Sequence, residues 1–240
     1  MSGRQHGSGE NWLWGVHAVT AALANPKRKL TRLLGTKNGL DRLGQIQARG
    51  EVVEPSAIDA LLPRDAVHQG LAAQFESLPT VQIDDLIEGE CRRIAVLDQV
   101  SDPHNLGAIF RSAAAFGFGG LVLQTRNAPA ITGIVAKSAV GAIETVQECR
   151  VVNISRALET LNDAGYHTVG LAGAGDASIE AAVSGAGKLA VVLGAEGPGL
   201  RPGVAKACAE LARIPIAAEM ESLNVSNAAA IAFYEAARNG

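Results

Sequence analysis

A chain of 240 residues, 48% hydrophobic and 19% charged, has room for one large domain, or a medium domain plus a small one, and is too apolar for wholesale disorder. No apolar run approaches the ~20 residues of a membrane helix, and the polar, Gly/Ser-rich start, Met1–Glu10, lacks the apolar stretch of a secretory signal; the expectations are a disordered tail over 1–10, no membrane contact and a cytoplasmic location. The net charge is −3, and the three cysteines, Cys91, Cys149 and Cys208, form no CxxC pair; an odd, sparse set suits a reducing compartment and suggests neither a zinc site nor a redox motif, so no metal is expected.

In chain order, Trp12–Asn25 reads as a short strand or turn and then a helix, with Val16, Val19 and Leu23 at helical spacing and Asn25-Pro26 as its stop. Leu30–Thr36 predicts a strand, Leu40–Arg49 a helix and Glu51–Val53 a strand. Ser56–Leu62 predicts a helix capped by Ser56, and His68–Phe75 a strand. These elements make a small α/β domain over 11–75. Between Asn25 and Arg49 seven cations (Lys27, Arg28, Lys29, Arg32, Lys37, Arg42 and Arg49) face one acid, Asp41. A basic window in an acidic chain fits a phosphate-contacting surface; a solvated face fits it equally. Residues 76–92, with Pro79, several acids and a short helix around Ile83–Ile87, read as a linker.

From residue 93 to 240 strands and helices alternate. Strands are predicted at Arg93–Leu97, Gly120–Gln124, His167–Leu171, Leu189–Leu193 and Ala212–Ile216. Helices are predicted at Leu106–Phe116, Ile131–Val140, Ser155–Ala164, Pro202–Leu211 and Val225–Arg238. The strands are short, continuous apolar runs, as expected where both faces of a parallel sheet are covered. Ligands in such sheets sit beyond the carboxyl ends of the strands, which directs attention to three loops.

The first runs from Asp98 to Gly107. Asp102 suits an N-cap, Pro103 the first helical position, and Asn105 the first turn, where free N–H groups favour anions. Arg111 lies one and a half turns further among alanines, where packing does not require an arginine. The second loop, Gly194-Ala195-Glu196-Gly197-Pro198-Gly199-Leu200, sets one carboxylate among three glycines after a buried strand. Glycine lets backbone approach a ligand closely, and the carboxylate suits a cation, a ribose hydroxyl or a main-chain donor. The pattern is not GxGxxG, so a dinucleotide site is disfavoured. In the third loop Ser222, Asn224 and Ser226 alternate with Leu223 and Val225 before an Ala-rich helix. An N-cap role explains one of these three polar residues.

Asp102–Gly107 with Arg111, Leu193–Leu200, and Ile214–Ile216 with Ser222–Ser226 together resemble the three ordered motifs of the SpoU (TrmH-like) RNA 2′-O-ribose methyltransferases. Lys137-Ser138-Ala139-Val140-Gly141-Ala142 is similar to that family's middle segment, with Val140 where a small residue is more usual. Trp14–Val19 and His68-Gln69-Gly70 resemble the small substrate-binding domain of the branch that modifies a guanosine of large-subunit (23S) ribosomal RNA. The resemblance implies a trefoil-knotted (SPOUT-type) parallel-sheet α/β domain behind a small N-terminal α/β substrate-binding domain. It also implies S-adenosylmethionine as cofactor, RNA as partner and a homodimer.

By the same resemblance Arg111 is the leading catalytic residue, assisted by Asn105, Glu196, Ser222 and Asn224. The cofactor is held by Leu193, Gly194, Glu196, Gly197, Ile214, Ile216, Ser222 and Leu223. RNA phosphates are expected on Lys27, Arg28, Lys29, Arg32, Lys37 and Arg42. A transfer-RNA substrate, or an RNA-binding protein of this fold without catalysis, stays open at this level; a metabolic nucleotide-binding enzyme lacks its Gly motif.

Overall fold

The computed structural model describes residues 12–44, 49–217 and 220–238. The tail expected over 1–10 lies outside them, as do residues 45–48 of the helix expected at Leu40–Arg49. The elements, in chain order, begin with β1 (Trp12–Trp14), α1 (Val16–Ala24), β2 (Leu30–Gly35), α2 (Lys37–Asp41), β3 (Glu51–Val52), α3 (Pro55–Asp59) and β4 (Leu71–Phe75). They continue with α4 (Ile83–Glu88), β5 (Arg93–Leu97), α5 (Pro103–Ala115), β6 (Gly120–Gln124), α6 (Gly133–Ala139), β7 (Gln147–Val151), α7 (Ile154–Asp163) and β8 (His167–Leu171). The last are β9 (Ala177–Ser178), α8 (Ile179–Val183), β10 (Leu189–Leu193), α9 (Pro202–Ala207), β11 (Glu210–Arg213) and α10 (Val225–Arg238).

Two compact units result. One comprises residues 12–79 together with 130–144, the other 80–129 together with 145–238. The sequence reading placed 130–144 in the second domain; contacts place them in the first. The cause is local packing: Gly133, at the start of α6, sits so close to Trp14 and the Trp12 carbonyl that a Cβ would overlap both. Ile134 then joins the cluster of Trp12, Trp14, Leu34, Ile58, Leu62 and Ala72. At the far end of the segment Glu144 accepts from Asn25 Nδ2 at 2.7 Å and forms a buried ion pair with Arg28 at 3.0 Å.

The first unit holds a mixed four-stranded sheet in the order β1-β4-β2-β3, with β4 antiparallel to both neighbours and β3 parallel to β2. Three sequence expectations shift here. The helix after β2 is the single turn α2, capped by Thr36 through Gly39 N. Ser56 does not cap α3, because Pro55 takes N1 and Glu54 becomes the N-cap. Residues 68–70 form a turn before β4, with positive φ at Gln69 and Gly70.

The second unit is a seven-stranded sheet in the order β7-β6-β5-β10-β8-β11-β9, and every pairing in it is parallel. β5 and β10 lie at its centre, and every residue of β10 is buried. Expectation and structure part at the last strand: β11 spans Glu210–Arg213 rather than Ala212–Ile216, because pairing with β8 starts at Glu210 opposite Val169. α9 is correspondingly shorter than expected and stops at Ala207. After β11 the chain leaves the sheet and returns to pack α10 against α5, with Phe118 and Phe233 stacked at 4.1 Å and Phe116 edge-on to Tyr234. A return of this kind is consistent with a trefoil knot.

Candidate active site

The carboxyl ends of β5 and β10 meet at the middle of the second unit, and the three loops singled out in the sequence leave from that side. Asp102 caps α5: its Oδ1 accepts from His104 N at 2.6 Å and Asn105 N at 3.0 Å, with Pro103 in the first turn. Leu106, Ile109, Phe110 and Ala113 bury one face of α5. That leaves Asn105 half-buried and Arg111 exposed. Among the described residues the Arg111 guanidinium has no carboxylate partner, so its donors are available to a ligand.

Loop three reaches loop one through the side chain of Asn224. Asn224 Oδ1 accepts from Ser226 N at 2.9 Å and Ser226 Oγ at 2.6 Å, which caps α10. Its Nδ2 donates to Asn105 Oδ1 at 3.0 Å. Asn224 is therefore both a helix cap and the link between α10 and α5. Ser222 is exposed and Leu223 half-buried beside it. Upstream, residues 214–217 run as irregular backbone outside the sheet, with Ile214 half-buried and Ile216 39% exposed.

Loop two is a closed turn. Ala195 and Gly199 exchange two backbone hydrogen bonds, at 3.2 and 2.9 Å, so that Glu196, Gly197 and Pro198 form the tip. Gly194 packs against the Gly199 backbone, where a Cβ would stand 2.2 Å from a carbonyl carbon; Gly197 and Gly199 have φ of 85° and 71°. All three glycines thus have a geometric reason. Glu196 is exposed, and among the described residues it bonds neither Arg111 nor Asn105.

The sequence reading missed the anchor of this turn. Asp98, immediately after β5, is fully buried and takes the backbone N–H and the guanidinium of Arg201, the residue that follows the turn. A carboxylate at the end of a buried strand is the only sequence hint; its partner lies 103 residues away. Buried Cys149 and half-buried Cys208 have no chemical role in the arrangement: desolvation pushes Cys149 up to about 11 and Cys208 up to about 12, so both remain thiols.

In the first unit the basic window divides. Lys27, Lys37 and Arg42 are exposed and, among the described residues, have no carboxylate partner. Lys29 pairs with Glu76 at 2.6 Å and Arg32 with Glu51 at 3.0 Å, both on the surface. Arg28 is only 7% exposed in its pair with Glu144. Its guanidinium is spent on holding the 130–144 segment, which removes it from the expected phosphate contacts.

Comparisons with known proteins identify the family. The family model described as the SpoU rRNA Methylase family matches residues 92–234, and the one described as RNA 2′-O ribose methyltransferase substrate binding matches 12–81. A chain named 23S rRNA (guanosine-2′-O-)-methyltransferase RlmB, from Photobacterium profundum, is 35% identical over 94% of this chain and 96% of its own length. A Synechocystis protein named an uncharacterized tRNA/rRNA methyltransferase is 39% identical over 93% of this chain, which spans 61% of that relative.

Among solved structures, the AdoMet-bound rRNA methyltransferase from Sinorhizobium meliloti aligns with a TM-score of 0.80 at 25% identity, covering 95% of this chain and 87% of that one. The AviRb methyltransferase from Streptomyces viridochromogenes, at 23% identity over 96% of this chain and 90% of that one, shares the fold with a TM-score of 0.81. With both family models matched in order along the chain, this protein belongs to the SpoU rRNA methylase family.

Proposed function

We propose that this protein transfers a methyl group from S-adenosylmethionine to the 2′-hydroxyl of a ribose in RNA, and that the target is a guanosine of large-subunit (23S) ribosomal RNA. The observation that carries the reading is the Asn224–Asn105 bond, which joins two family motifs 119 residues apart. The named RlmB relatives, nearly equal in length to this chain, support the ribosomal target.

The residues present fit the cofactor. The exposed tip at Glu196-Gly197 offers backbone unobstructed by side chains, since a Cβ on Gly197 would meet open space. Residues 214–217 offer amides and carbonyls outside the sheet next to the exposed apolar Ile216. Leu193, Gly194, Glu196, Gly197, Ile214, Ile216, Ser222 and Leu223 are the residues that would hold it. Bound there, S-adenosylmethionine supplies a methyl group made electrophilic by its sulfonium charge.

The protein's own task is to orient the ribose hydroxyl and give its proton a destination. Orientation of reactants supplies up to roughly 7–11 kcal/mol in the best intramolecular cases. Arg111 is no base, because a guanidinium offers five N–H donors and no acceptor. It would clamp a substrate phosphate bidentately, and a phosphate oxygen would take the hydroxyl proton as the methyl group passes from sulfur to the ribose oxygen and the neutral sulfide leaves. Asn105, held by Asn224, orients the ribose, and the exposed Ser222 and Glu196 meet cofactor or substrate.

In this reading residues 11–75 are the substrate-binding domain, 76–92 the linker and 93–240 the methyltransferase domain, apart from the 130–144 segment. Lys27, Lys37 and Arg42 contact RNA phosphates. The protein works in the cytoplasm, as its ribosomal substrate and three free cysteines suggest. It works as a homodimer, for which Ile231 and Tyr234, apolar and exposed on α10, provide surface. Among the described residues no helix is long and apolar enough to cross a membrane.

The test is a mass-spectrometric map of ribose methylation in cells with and without the gene, paired with labelled-methyl transfer to 23S RNA in vitro. Loss of one 2′-O-methylguanosine from 23S RNA supports the full reading. Loss of a mark from transfer RNA overturns the target. RNA binding without methyl transfer overturns the chemistry.

A further inference from the structure

Three sequence motifs left without a role by the reaction meet at one point of the first unit. Trp14-Gly15-Val16, His68-Gln69-Gly70 and the segment opening at Lys137 converge on the Gln69 side chain. Its Oε1 accepts from Val16 N at 3.2 Å and from Lys137 Nζ at 3.1 Å.

The backbone around this point is unusual. Gln69 has φ of 55° and Gly15 φ of 85°. A positive φ is costly for a residue with a Cβ, and such strain concentrates at binding sites. A Cβ on Gly15 would fall 2.4 Å from Lys137 Nζ, so the glycine makes room for the ammonium. Val140 and Gly141, which end α6, also have positive φ.

Lys137 itself stands apart from its neighbours. Arg28, Lys29 and Arg32 each have a carboxylate. Lys137 is half-buried, its partner is an amide oxygen, and among the described residues no acid pairs with it. Burial pushes its pKa down, so its charge is held in place at a cost that no carboxylate offsets. An ammonium has three N–H donors and spends one on Gln69. With the Gln69 carbonyl already occupied, the outward donors at this point are those of Lys137 Nζ and Gln69 Nε2. A cation beside an amide donor matches an oxyanion with several acceptor oxygens.

We infer that Lys137 and Gln69 form a phosphate-binding station for the substrate RNA, distinct from the cations of the basic window. The inference rests on the reading of RNA as substrate.

The test measures the affinity of a 23S RNA fragment as a function of salt for wild type, Lys137→Met, Lys137→Arg and Gln69→Glu. One lost phosphate contact lowers the slope of log K against log salt by about 0.7–0.9. Lys137→Met is expected to lower it by that amount and weaken binding about tenfold at low salt. Lys137→Arg keeps the slope. Gln69→Glu retains the acceptor for Val16 N and sets a carboxylate on Lys137, so it loses the contact even if Lys137→Met fails to fold. Cofactor affinity by calorimetry stays unchanged throughout. Wild-type slope and affinity in Gln69→Glu overturn the station. A wild type without salt-dependent RNA affinity overturns the station and the functional reading together. A wild type that binds RNA with the expected slope, loses it in Gln69→Glu and transfers no methyl overturns the functional reading alone.

Discussion

Asp98 is wholly buried, and both of its carboxylate oxygens are taken by Arg201: Oδ2 by the backbone N–H at 3.0 Å, Oδ1 by Nε at 2.8 Å and by the terminal guanidinium nitrogen at 2.6 Å. One residue ends β5 and the other closes the glycine turn after β10, so the pair ties together the two central strands' exits. Removing one partner of a buried pair leaves an uncompensated charge and costs about 3–5 kcal/mol. Arg201→Ala is therefore expected near the lower figure, since the arginine is 42% exposed. Asp98→Asn, which leaves no charge behind, should cost less. Urea unfolding of the two variants and of the double variant checks this; a double variant as unstable as the sum of the singles would deny the coupling.

Arg111 offers the opposite case. It is exposed and unpaired among the described residues, so stability should change by no more than about 0.5 kcal/mol on replacement. Lysine keeps the charge but loses the fork that grips two phosphate oxygens. Arg111→Lys is expected to reduce turnover on the order of a hundredfold, worth about 2.7 kcal/mol of barrier, while calorimetric affinity for S-adenosylmethionine holds. Turnover within a few-fold of wild type would remove Arg111 from the chemistry.

Asn224 carries two functions that mutation can separate. Asn224→Ala loses the α10 cap and the bond to Asn105, and is expected to cost about 1–2 kcal/mol. Asn224→Asp keeps an oxygen for Ser226 N but has no N–H for Asn105, so it should retain most of the stability and lose activity. A thermal melt beside a turnover assay distinguishes them. Equal losses of stability in both variants would make the cap incidental.

The central strands of the parallel sheet were legible because β5, β6 and β10 are uninterrupted apolar runs with their own local signal. β7 was not: Gln147-Glu148-Cys149-Arg150-Val151 is half polar, and Glu148 and Arg150 are tolerated on that edge strand by pairing with each other at 2.6 Å. Asp102, Asn105 and Asn224 were legible as cap and motif residues, whereas Asp98–Arg201 and Arg28–Glu144 were not, because their meaning lies in partners more than a hundred residues away. The same limit explains the basic window. Charge counting finds seven cations but cannot see that three of them already hold acids.

That division of the window has a measurable consequence. Arg28→Ala should destabilise the first unit by about 3–5 kcal/mol, because it strands a Glu144 whose side chain is 5% exposed. It should leave the salt dependence of RNA binding unchanged under conditions where the protein stays folded. Removing Lys27, Lys37 and Arg42 together should do the reverse, with stability near wild type and a slope reduced by about 0.7–0.9 for each phosphate released. A slope change in Arg28→Ala alone would return that arginine to the RNA surface.

Cys149 makes stability fall at alkaline pH. Its thiol is pushed up to about 11, chiefly by burial and further by the charges of Asp85, Glu148 and Asp84, from an ordinary value of 9.0. Between these values the unfolded chain has released the proton and the folded chain still holds it. Folding therefore binds a proton, and its stability, fully present below pH 9, drops as pH rises toward 11, by up to about 1.4 kcal/mol per pH unit. Cys149→Ala should lower stability at pH 8 by the loss of a small buried side chain, and should flatten the decline above pH 9 relative to wild type. Urea midpoints taken from pH 8 to 11 for the two proteins measure the difference. Parallel declines would mean that other groups, rather than this thiol, govern the alkaline limb.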